Sequence, residues 1–188
     1  PTPAEVPEAY KRIKESTTTP ICAGENHYLT YGFRRMLEIG AVDVIMPDLQ
    51  KAGGLGEGMR IASLANTYYV PFAPHMVASL MGAMSSAHVC AAVPNFLILE
   101  HLADDVPQRY EVMTGQPVIE NSHIVVPDTP GLGIDIVEEA IAQYPSVGNV
   151  SVPEDTYDYS YIYARHARSQ WLSGQQTPPP KYRPGHVF

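Results

Sequence analysis

The chain has 188 residues, of which 45% are hydrophobic and 17% charged, so it can bury a sizeable core. Twelve Lys and Arg against twenty Asp and Glu give a net charge of −8. Without a basic run, this balance argues against a nucleic-acid partner or an anionic membrane surface, and no apolar stretch is long enough to span a bilayer. The N-terminal residues do not resemble a secretory signal and two Cys are too few for a disulfide framework, which favours a cytoplasmic location.

Four short apolar runs divide the N-terminal part of the chain, and we interpret them as buried strands. The gaps between the runs are long, and each gap carries apolar residues at helical spacing. The first gap ends near Gly40, where a helix C-cap is expected. Strand, helix and strand at about 25 residues per unit are typical of a parallel α/β sheet or barrel. The four runs are residues 20–23, 42–46, 70–73 and 96–99.

An ionisable residue follows each of the four runs, and these residues are Glu25, Asp48, His75 and Glu100. The ends of parallel strands meet at the same edge of a sheet, so the four side chains are expected to converge. In an eight-stranded α/β barrel that edge carries the catalytic residues. Four ionisable residues at four successive strand ends are also less frequent by chance than any one of them alone. We therefore predict one shared site.

The first of these residues, Glu25, follows a glycine that allows a tight turn. Its carboxylate is the kind of ligand that a hard cation such as Mg²⁺ prefers. The alternative is a helix N-cap or a salt-bridged acid at a strand end. His27 comes two residues later and is expected to face the same rim, where it would contact a substrate.

The next two strand ends place a carboxylate beside an imidazole. An Asp next to a His fixes the tautomer of the ring and makes the other ring nitrogen a better proton acceptor. We therefore predict that Asp48 and His75 form a catalytic dyad. The alternative is a structural Asp in a turn and a core His. Glu100 alone is a weaker signal, since an acid at the start of a helix is common.

The periodicity stops after Glu100, and the chain is expected to divide into three segments. Residues 1–104 form the α/β part. Residues 105–150 carry turn signals around two short apolar runs, which predicts a hairpin or excursion packed on a neighbouring surface. Residues 151–188 are rich in Tyr and Pro and are expected to form an extended tail.

Five stretches between residues 1 and 137 share an order and spacing with a known family: PICAGEN, VIMPDLQKAGGLGEGMRIASLA, VPFAPHM, FLILEH and VVPDTPGLGIDI. Together they resemble the C-terminal half of an enolase-superfamily enzyme of the mandelate racemase subgroup. The resemblance implies the C-terminal half of a (β/α)7β barrel of the TIM-barrel type. It also implies a C-terminal segment that returns to a capping domain.

The same resemblance implies a role for each residue at the rim. Glu25 is expected to be one of three Mg²⁺ ligands, and Glu100 is expected to hydrogen-bond the substrate carboxylate. Asp48 and His75 are expected to act on the carbon next to that carboxylate. Relatives with Lys in place of Asp48, such as the dipeptide epimerases, are disfavoured.

These roles predict a Mg²⁺-dependent dehydratase of a sugar acid, an aldonate or aldarate, that acts as a homo-oligomer on a small carboxylate substrate. Two alternatives stay open: a racemase or epimerase of a 2-hydroxy acid, and a non-catalytic truncated barrel that serves as a scaffold. Family members carry another metal ligand in a Glu-Glu-Pro run, and this sequence begins at what resembles its Pro, Pro1. We therefore expect a complete protein about twice as long, with the other metal ligands and a second base outside this chain.

Overall fold

A computed structural model describes residues 3–77, 79–102 and 108–144, all within the unit Pro1–Pro145. The tail predicted at 151–188 and parts of the segment predicted at 105–150 lie outside the described residues. The helices are α1 Pro7–Glu15, α2 Leu29–Glu38, α3 Leu49–Ala52, α4 Gly54–Thr67, α5 Leu80–Ala92, α6 Gln108–Glu111 and α7 Glu138–Ile141. The strands are β1 Cys22–Ala23, β2 Val44–Ile45, β3 Met113–Thr114, β4 Ile119–Glu120, β5 His123–Ile124 and β6 Asp135–Ile136.

The four predicted apolar runs pair side by side, in chain order and in parallel. Cys22 pairs with Val44 in the β1–β2 ladder. Single parallel bridges then join Ile45 to Phe72 and Phe72 to Phe96. The regular strands are shorter than the apolar runs: β1 and β2 have two residues each, and the third and fourth runs form only these isolated bridges. The predicted α/β arrangement of strand and helix is confirmed for this part of the chain.

The three helices predicted between the runs are α2, α4 and α5. The end of α2 has the expected glycine: Gly40 has φ +62. Its amide donates to Leu37 O at 3.0 Å, and the next amide donates to Met36 O at 2.9 Å, which is the Schellman pattern. Ser79 is the N-cap of helix α5, and its side chain accepts from Gly82 N at 3.2 Å.

The core lies between the parallel strands and the helices that connect them. Phe33 of α2, Ile45 of β2, Ile61 of α4 and Phe72 of the third run are all fully buried in one cluster. Burying a large apolar side chain contributes about 1.5–3 kcal/mol, so these residues fix the strand positions and hence the strand ends.

Two helices of the α/β part, α1 and α3, have no counterpart in the predicted pattern, and neither do the short helices α6 and α7 after Glu100. Helix α1 has no fully buried residue, although Tyr10 packs against a core cluster. Helix α3 has four residues and begins directly after Asp48, whose carboxylate accepts from Gln50 N and Lys51 N. It ends at Gly53, which has φ +119. The predicted turn after the second run is therefore a capped helical turn.

The described part of the segment after Glu100 contains the expected hairpin. β4 and β5 pair antiparallel, with Ile119 opposite Ile124. The two turn residues, Asn121 and Ser122, have φ +49 and +64, as a two-residue hairpin turn requires. A contact between this segment and the α/β part joins His88 Nε2 of α5 to Leu132 O at 3.4 Å.

Candidate active site

The second and third strand ends bring Asp48 and His75 together. The two residues form a parallel bridge, and His75 Nδ1 lies 3.0 Å from Asp48 Oδ2. Asp48 is 2% exposed and His75 is 9% exposed. The pair is therefore held by the backbone of adjacent strands and largely shielded from water, which strengthens its hydrogen bond.

Both oxygens of Asp48 have partners that fix the orientation of the carboxylate. Oδ1 accepts from Gln50 N at 3.0 Å and Lys51 N at 3.3 Å, and Oδ2 faces the imidazole. Lys51 Nζ also lies 3.6 Å from Oδ2. An ionised carboxylate can only accept hydrogen bonds, so the contact with Asp48 favours the tautomer of His75 that carries a proton on Nδ1. Nε2 is the ring nitrogen that faces away from Asp48.

The second ring nitrogen of His75, Nε2, faces the other two predicted site residues. Nε2 lies 2.9 Å from Glu25 Oε2 and 3.8 Å from Glu100 Oε2. The side chains of Glu25 and Glu100 are 42% and 43% exposed, so this face of the imidazole opens to the rim. Met76 N donates to Glu100 Oε2 at 3.3 Å. The other three strand-end residues therefore surround the imidazole of His75.

The turn that carries Glu25 depends on the glycine before it. Gly24 has φ +141, and an added Cβ would lie 2.9 Å from Phe33 Cε1 and 3.1 Å from Met46 O. A side chain at this position would therefore meet both a core ring and backbone. Asn26 Nδ2 donates to Glu25 Oε1 at 3.3 Å. The backbone thus turns tightly at Gly24 and presents the carboxylate of the next residue at the rim.

His27 lies apart from this cluster. His27 N donates to Gly24 O at 3.0 Å, and this turn directs the ring between Phe33 and Tyr10, with ring centroids at 5.5 and 6.3 Å. Burial lowers the pKa of His27, against a weaker raising influence of the Ala4 backbone. Within residues 3–77, 79–102 and 108–144, neither buried ring nitrogen makes a hydrogen bond of good geometry. The substrate contact expected of His27 stays a prediction.

Comparison with known proteins gives the family. Residues 1–140 match the family described as enolase C-terminal domain-like. The chain belongs to this family. It is 40% identical over 155 residues to a D-xylonate dehydratase of Haloferax volcanii, covering 82% of this chain and 38% of that protein. It is 32% identical over 154 residues to a D-galactonate dehydratase of Ralstonia pickettii, covering 76% of this chain and 39% of that protein.

A solved structure agrees with this assignment to the enolase family. The crystal structure of a mandelate racemase/muconate lactonizing enzyme-like protein from Rubrobacter xylanophilus superposes with a TM-score of 0.70 at 48% identity. The match covers 76% of this chain and 37% of that structure. The chain therefore spans less than half the length of the relatives that it matches.

The enolase family implies Mg²⁺, and the described residues supply part of such a site. Glu25 has the right donor chemistry, because it offers a carboxylate at the open rim and Mg²⁺ binds through one or two protein carboxylates. In the part of the chain that the structure describes, no group of three or more His, Cys, Asp or Glu side chains is arranged to hold a metal ion. The described residues thus supply one carboxylate ligand of a metal site, Glu25.

Two contacts of the site were not predicted from the sequence. The Met76 amide reaches Glu100 across two adjacent strand ends, and a backbone amide leaves no mark in the residue pattern. The Lys51 ammonium lies near Asp48 because α3 places residues three apart on one side. The sequence signal for the second contact was the Asp-x-x-Lys spacing after a strand, which is also common in solvated loops.

No helix of the described residues is both long and apolar enough to cross a membrane.

Proposed function

We propose that this chain carries the proton-transfer part of a Mg²⁺-dependent sugar-acid dehydratase, with His75 as the base and Asp48 as its partner. The observation that carries the proposal is the buried 3.0 Å contact between Asp48 Oδ2 and His75 Nδ1. It leaves Nε2 at the rim between two glutamates. The named dehydratases among the relatives support the reaction class.

The chemistry requires both a base and charge stabilisation. A proton on the carbon next to a carboxylate is very weakly acidic, so an imidazole removes it only when the resulting enediolate is stabilised. A divalent ion held in part by Glu25 supplies positive charge to the substrate carboxylate when it is bound. Glu100 lies at the rim beside His75, where it is placed to share a hydrogen bond with a carboxylate oxygen of the substrate, and this bond strengthens as negative charge develops.

The proton balance of dehydration follows from the geometry of His75. Nε2 takes the α-proton, while Nδ1 stays hydrogen-bonded to Asp48, whose negative charge stabilises the imidazolium. The hydroxyl on the neighbouring carbon then leaves with a proton from a general acid, as water. The enol that remains becomes the 2-keto-3-deoxy acid by taking a proton from solvent at the deoxy carbon and releasing the proton of its hydroxyl group.

The complete site needs residues beyond those described. Glu25 is a single carboxylate ligand, and the chain covers 38% of the related D-xylonate dehydratase. We propose that the other metal ligands, the rest of the barrel and the capping domain come from other parts of the complete enzyme. The role of Glu25 as a metal ligand, the homo-oligomeric state and the cytoplasmic location stay predictions.

The test uses the full-length enzyme with a panel of aldonates and aldarates in the presence of Mg²⁺. Formation of a 2-keto-3-deoxy acid from at least one member is the expected result. The same dyad could instead exchange the α-proton of a 2-hydroxy acid and return it to the other face. Exchange in D₂O with no keto product from any acid would replace the dehydratase proposal with a racemase.

A further inference from the structure

The side chain of Glu57, in the first turn of α4, reaches the start of α2 and has a partner on both carboxylate oxygens. Oε1 accepts from Thr30 N at 2.6 Å and from Thr30 Oγ1 at 2.5 Å. Oε2 accepts from Arg60 Nη1 at 2.7 Å. Glu57 is 13% exposed. Thr30 and Glu57 are 27 residues apart in sequence, so this contact is a long-range one that joins α2 to α4.

The contact replaces a missing helix cap. Helix α2 begins at Leu29, and the residue at its N-cap, Tyr28, makes no side-chain cap hydrogen bond. The first amides of a helix have no partner within the helix, and a Ser, Thr, Asp or Asn at the N-cap usually accepts from them. Glu57 supplies the acceptor for the Thr30 amide from a different helix.

The charge of Glu57 makes this a strong interaction. The side-chain hydrogen bond from Thr30, then its backbone hydrogen bond and then Arg60 lower the pKa of Glu57 to about 2. The carboxylate is therefore ionised throughout the neutral range, and hydrogen bonds to an ionised acceptor are about twice as strong as neutral ones.

The segment anchored in this way is strained. Leu29 has φ +54. Residues other than glycine rarely adopt such a positive φ, and bulky residues least of all. Such a conformation persists only where the surroundings hold it, and it is often found at functional sites. Leu29 lies directly before Thr30 and four residues after Glu25, so the Glu57 contact holds the strained end of the loop that carries Glu25.

The same contact borders the segment that begins at Asp48. An added Cβ at Gly53 would lie 3.0 Å from Glu57 Cβ and 3.1 Å from Leu29 Cδ2. Gly53 ends the short helix α3 that starts directly after Asp48. The loop of residues 25–30 and the segment of residues 48–53 therefore pack on each other at Glu57.

We infer that Glu57 is a positioning residue, which fixes the loop of Glu25 against the segment of Asp48 and so sets the place of the Glu25 carboxylate beside His75. The inference rests on the proposed function in one respect, namely that Glu25 binds Mg²⁺ in the complete enzyme.

The experiment compares Glu57→Ala, Glu57→Gln and the control Glu38→Ala in the full-length enzyme. Glu38 pairs with Arg34 on the exposed side of α2 at 2.7 Å, so its loss removes an ion pair on the anchored helix without touching the loop. Two readouts need no turnover: Mg²⁺ affinity by calorimetry without substrate, and hydrogen exchange of the amides of residues 24–30 by mass spectrometry.

Glu57→Ala is expected to weaken Mg²⁺ binding about tenfold, as loss of a residue that orients a metal ligand does, and to speed exchange in residues 24–30. Glu57→Gln keeps a carbonyl oxygen for the Thr30 donors but loses the charge, and is expected to restore part of both. Glu38→Ala is expected to change neither. A lower thermal midpoint of Glu57→Ala, with wild-type Mg²⁺ affinity and wild-type exchange in this loop, overturns the inference.

Thr30→Val provides a second test that does not depend on the folding of Glu57→Ala. It removes the hydroxyl donor and keeps the amide, so a loss of Mg²⁺ affinity of about threefold is expected, and an unchanged affinity counts against the inference. If the wild-type enzyme binds no Mg²⁺, the proposed function fails. The exchange rates then decide the positioning role alone, and equal rates in Glu57→Ala and wild type overturn it.

Discussion

Asp48 Oδ2 lies 3.0 Å from His75 Nδ1, although 27 residues separate the two in the chain. The parallel bridge between these residues places both side chains at one edge. The pair is the best-defined feature of the candidate site, since the carboxylate is also held by two backbone amides on its other oxygen.

Asp48→Asn separates the two roles of this carboxylate. The amide oxygen of Asn still caps α3, but its NH₂ group faces Nδ1 and forces the imidazole to accept there, which places the proton on Nε2. We expect kcat/KM to fall by about 10²- to 10⁴-fold, the usual contribution of general base catalysis, with little loss of stability. Steady-state kinetics and thermal unfolding of the full-length enzyme measure the two effects.

The matched control is Asp43→Asn. Asp43 Oδ2 accepts from Ile21 N at 2.8 Å and Oδ1 pairs with Lys14 at 3.0 Å, before β2 and thus away from its C-terminal end. Asp43→Asn is expected to retain wild-type kcat/KM. Equal losses of activity in both variants would show that the Asp48 effect is structural.

Metal dependence tests the role of Glu25. A divalent ion that binds the folded enzyme at about 100 times its Kd adds about 2.7 kcal/mol to the free energy of unfolding. Mg²⁺ is therefore expected to raise the Tm of the chelator-treated full-length enzyme and to restore its activity. Glu25→Gln is expected to lose most of this shift. Glu8→Gln, which alters an exposed pair with Arg35, is expected to keep it.

The absence of any Mg²⁺ effect on the wild-type Tm would contradict the metal site. It would also favour the alternative that this chain is part of a non-catalytic scaffold.

Much of this arrangement could be predicted from the residue pattern. The apolar runs and helical gaps predict parallel strands in chain order, and that order alone brings Asp48, His75 and their neighbours at the strand ends to one edge. The side chain of His27 could not be placed in the same way, because its direction depends on the turn at Gly24. Residues two apart in a strand point to the same face of the sheet, but residues two apart in a turn do not share a fixed direction.

The helix α3 that Asp48 caps and the contact of Glu57 with α2 could not be predicted from the residue pattern either. Asp48 begins a four-residue helix, α3, which is too short to show a period in the sequence. Glu57 caps helix α2 through Thr30, which lies 27 residues earlier, so its role depends on how α2 and α4 pack. The Glu57 contact therefore arises from tertiary structure, which local propensity does not encode.

The glycine before Glu25 gives a prediction for both stability and activity. Gly24→Ala is expected to lower the free energy of unfolding by about 3 kcal/mol, because it combines a disfavoured positive φ with overpacking against Phe33 and Met46 O. It is also expected to reduce activity, since the displaced backbone carries Glu25. Denaturant unfolding and kcat/KM measure these effects.

The control for this substitution is Gly56→Ala in α4. An added Cβ there has no atom within 4 Å, and Ala is favoured over Gly in a helix by about 1 kcal/mol. Gly56→Ala is therefore expected to stabilise the protein slightly and to leave activity unchanged. Similar destabilisation by both substitutions would contradict the account of the tight turn.

The pH dependence of stability follows from the lowered pKa of Glu57. Its pKa is about 2 in the folded protein against a reference value of 4.5, so its ionised form contributes stability that is complete above about pH 4.5. This contribution is lost as the pH falls from about 4.5 to about 2. The difference in free energy of unfolding between wild type and Glu57→Gln should therefore shrink over that window and stay constant from pH 5 to 7. A difference that is unchanged down to pH 3 would rule out this linkage.

The most direct test of the central claim replaces His75 with Asn in the full-length enzyme. The substrate is a sugar acid that the wild type dehydrates in the presence of Mg²⁺. Keto-acid formation is followed for both proteins, and circular dichroism and Tm establish that both are folded. His75→Asn is expected to keep the fold, and its turnover is expected to fall below detection. Turnover by folded His75→Asn at a rate close to that of the wild type would contradict the assignment of His75 as the base.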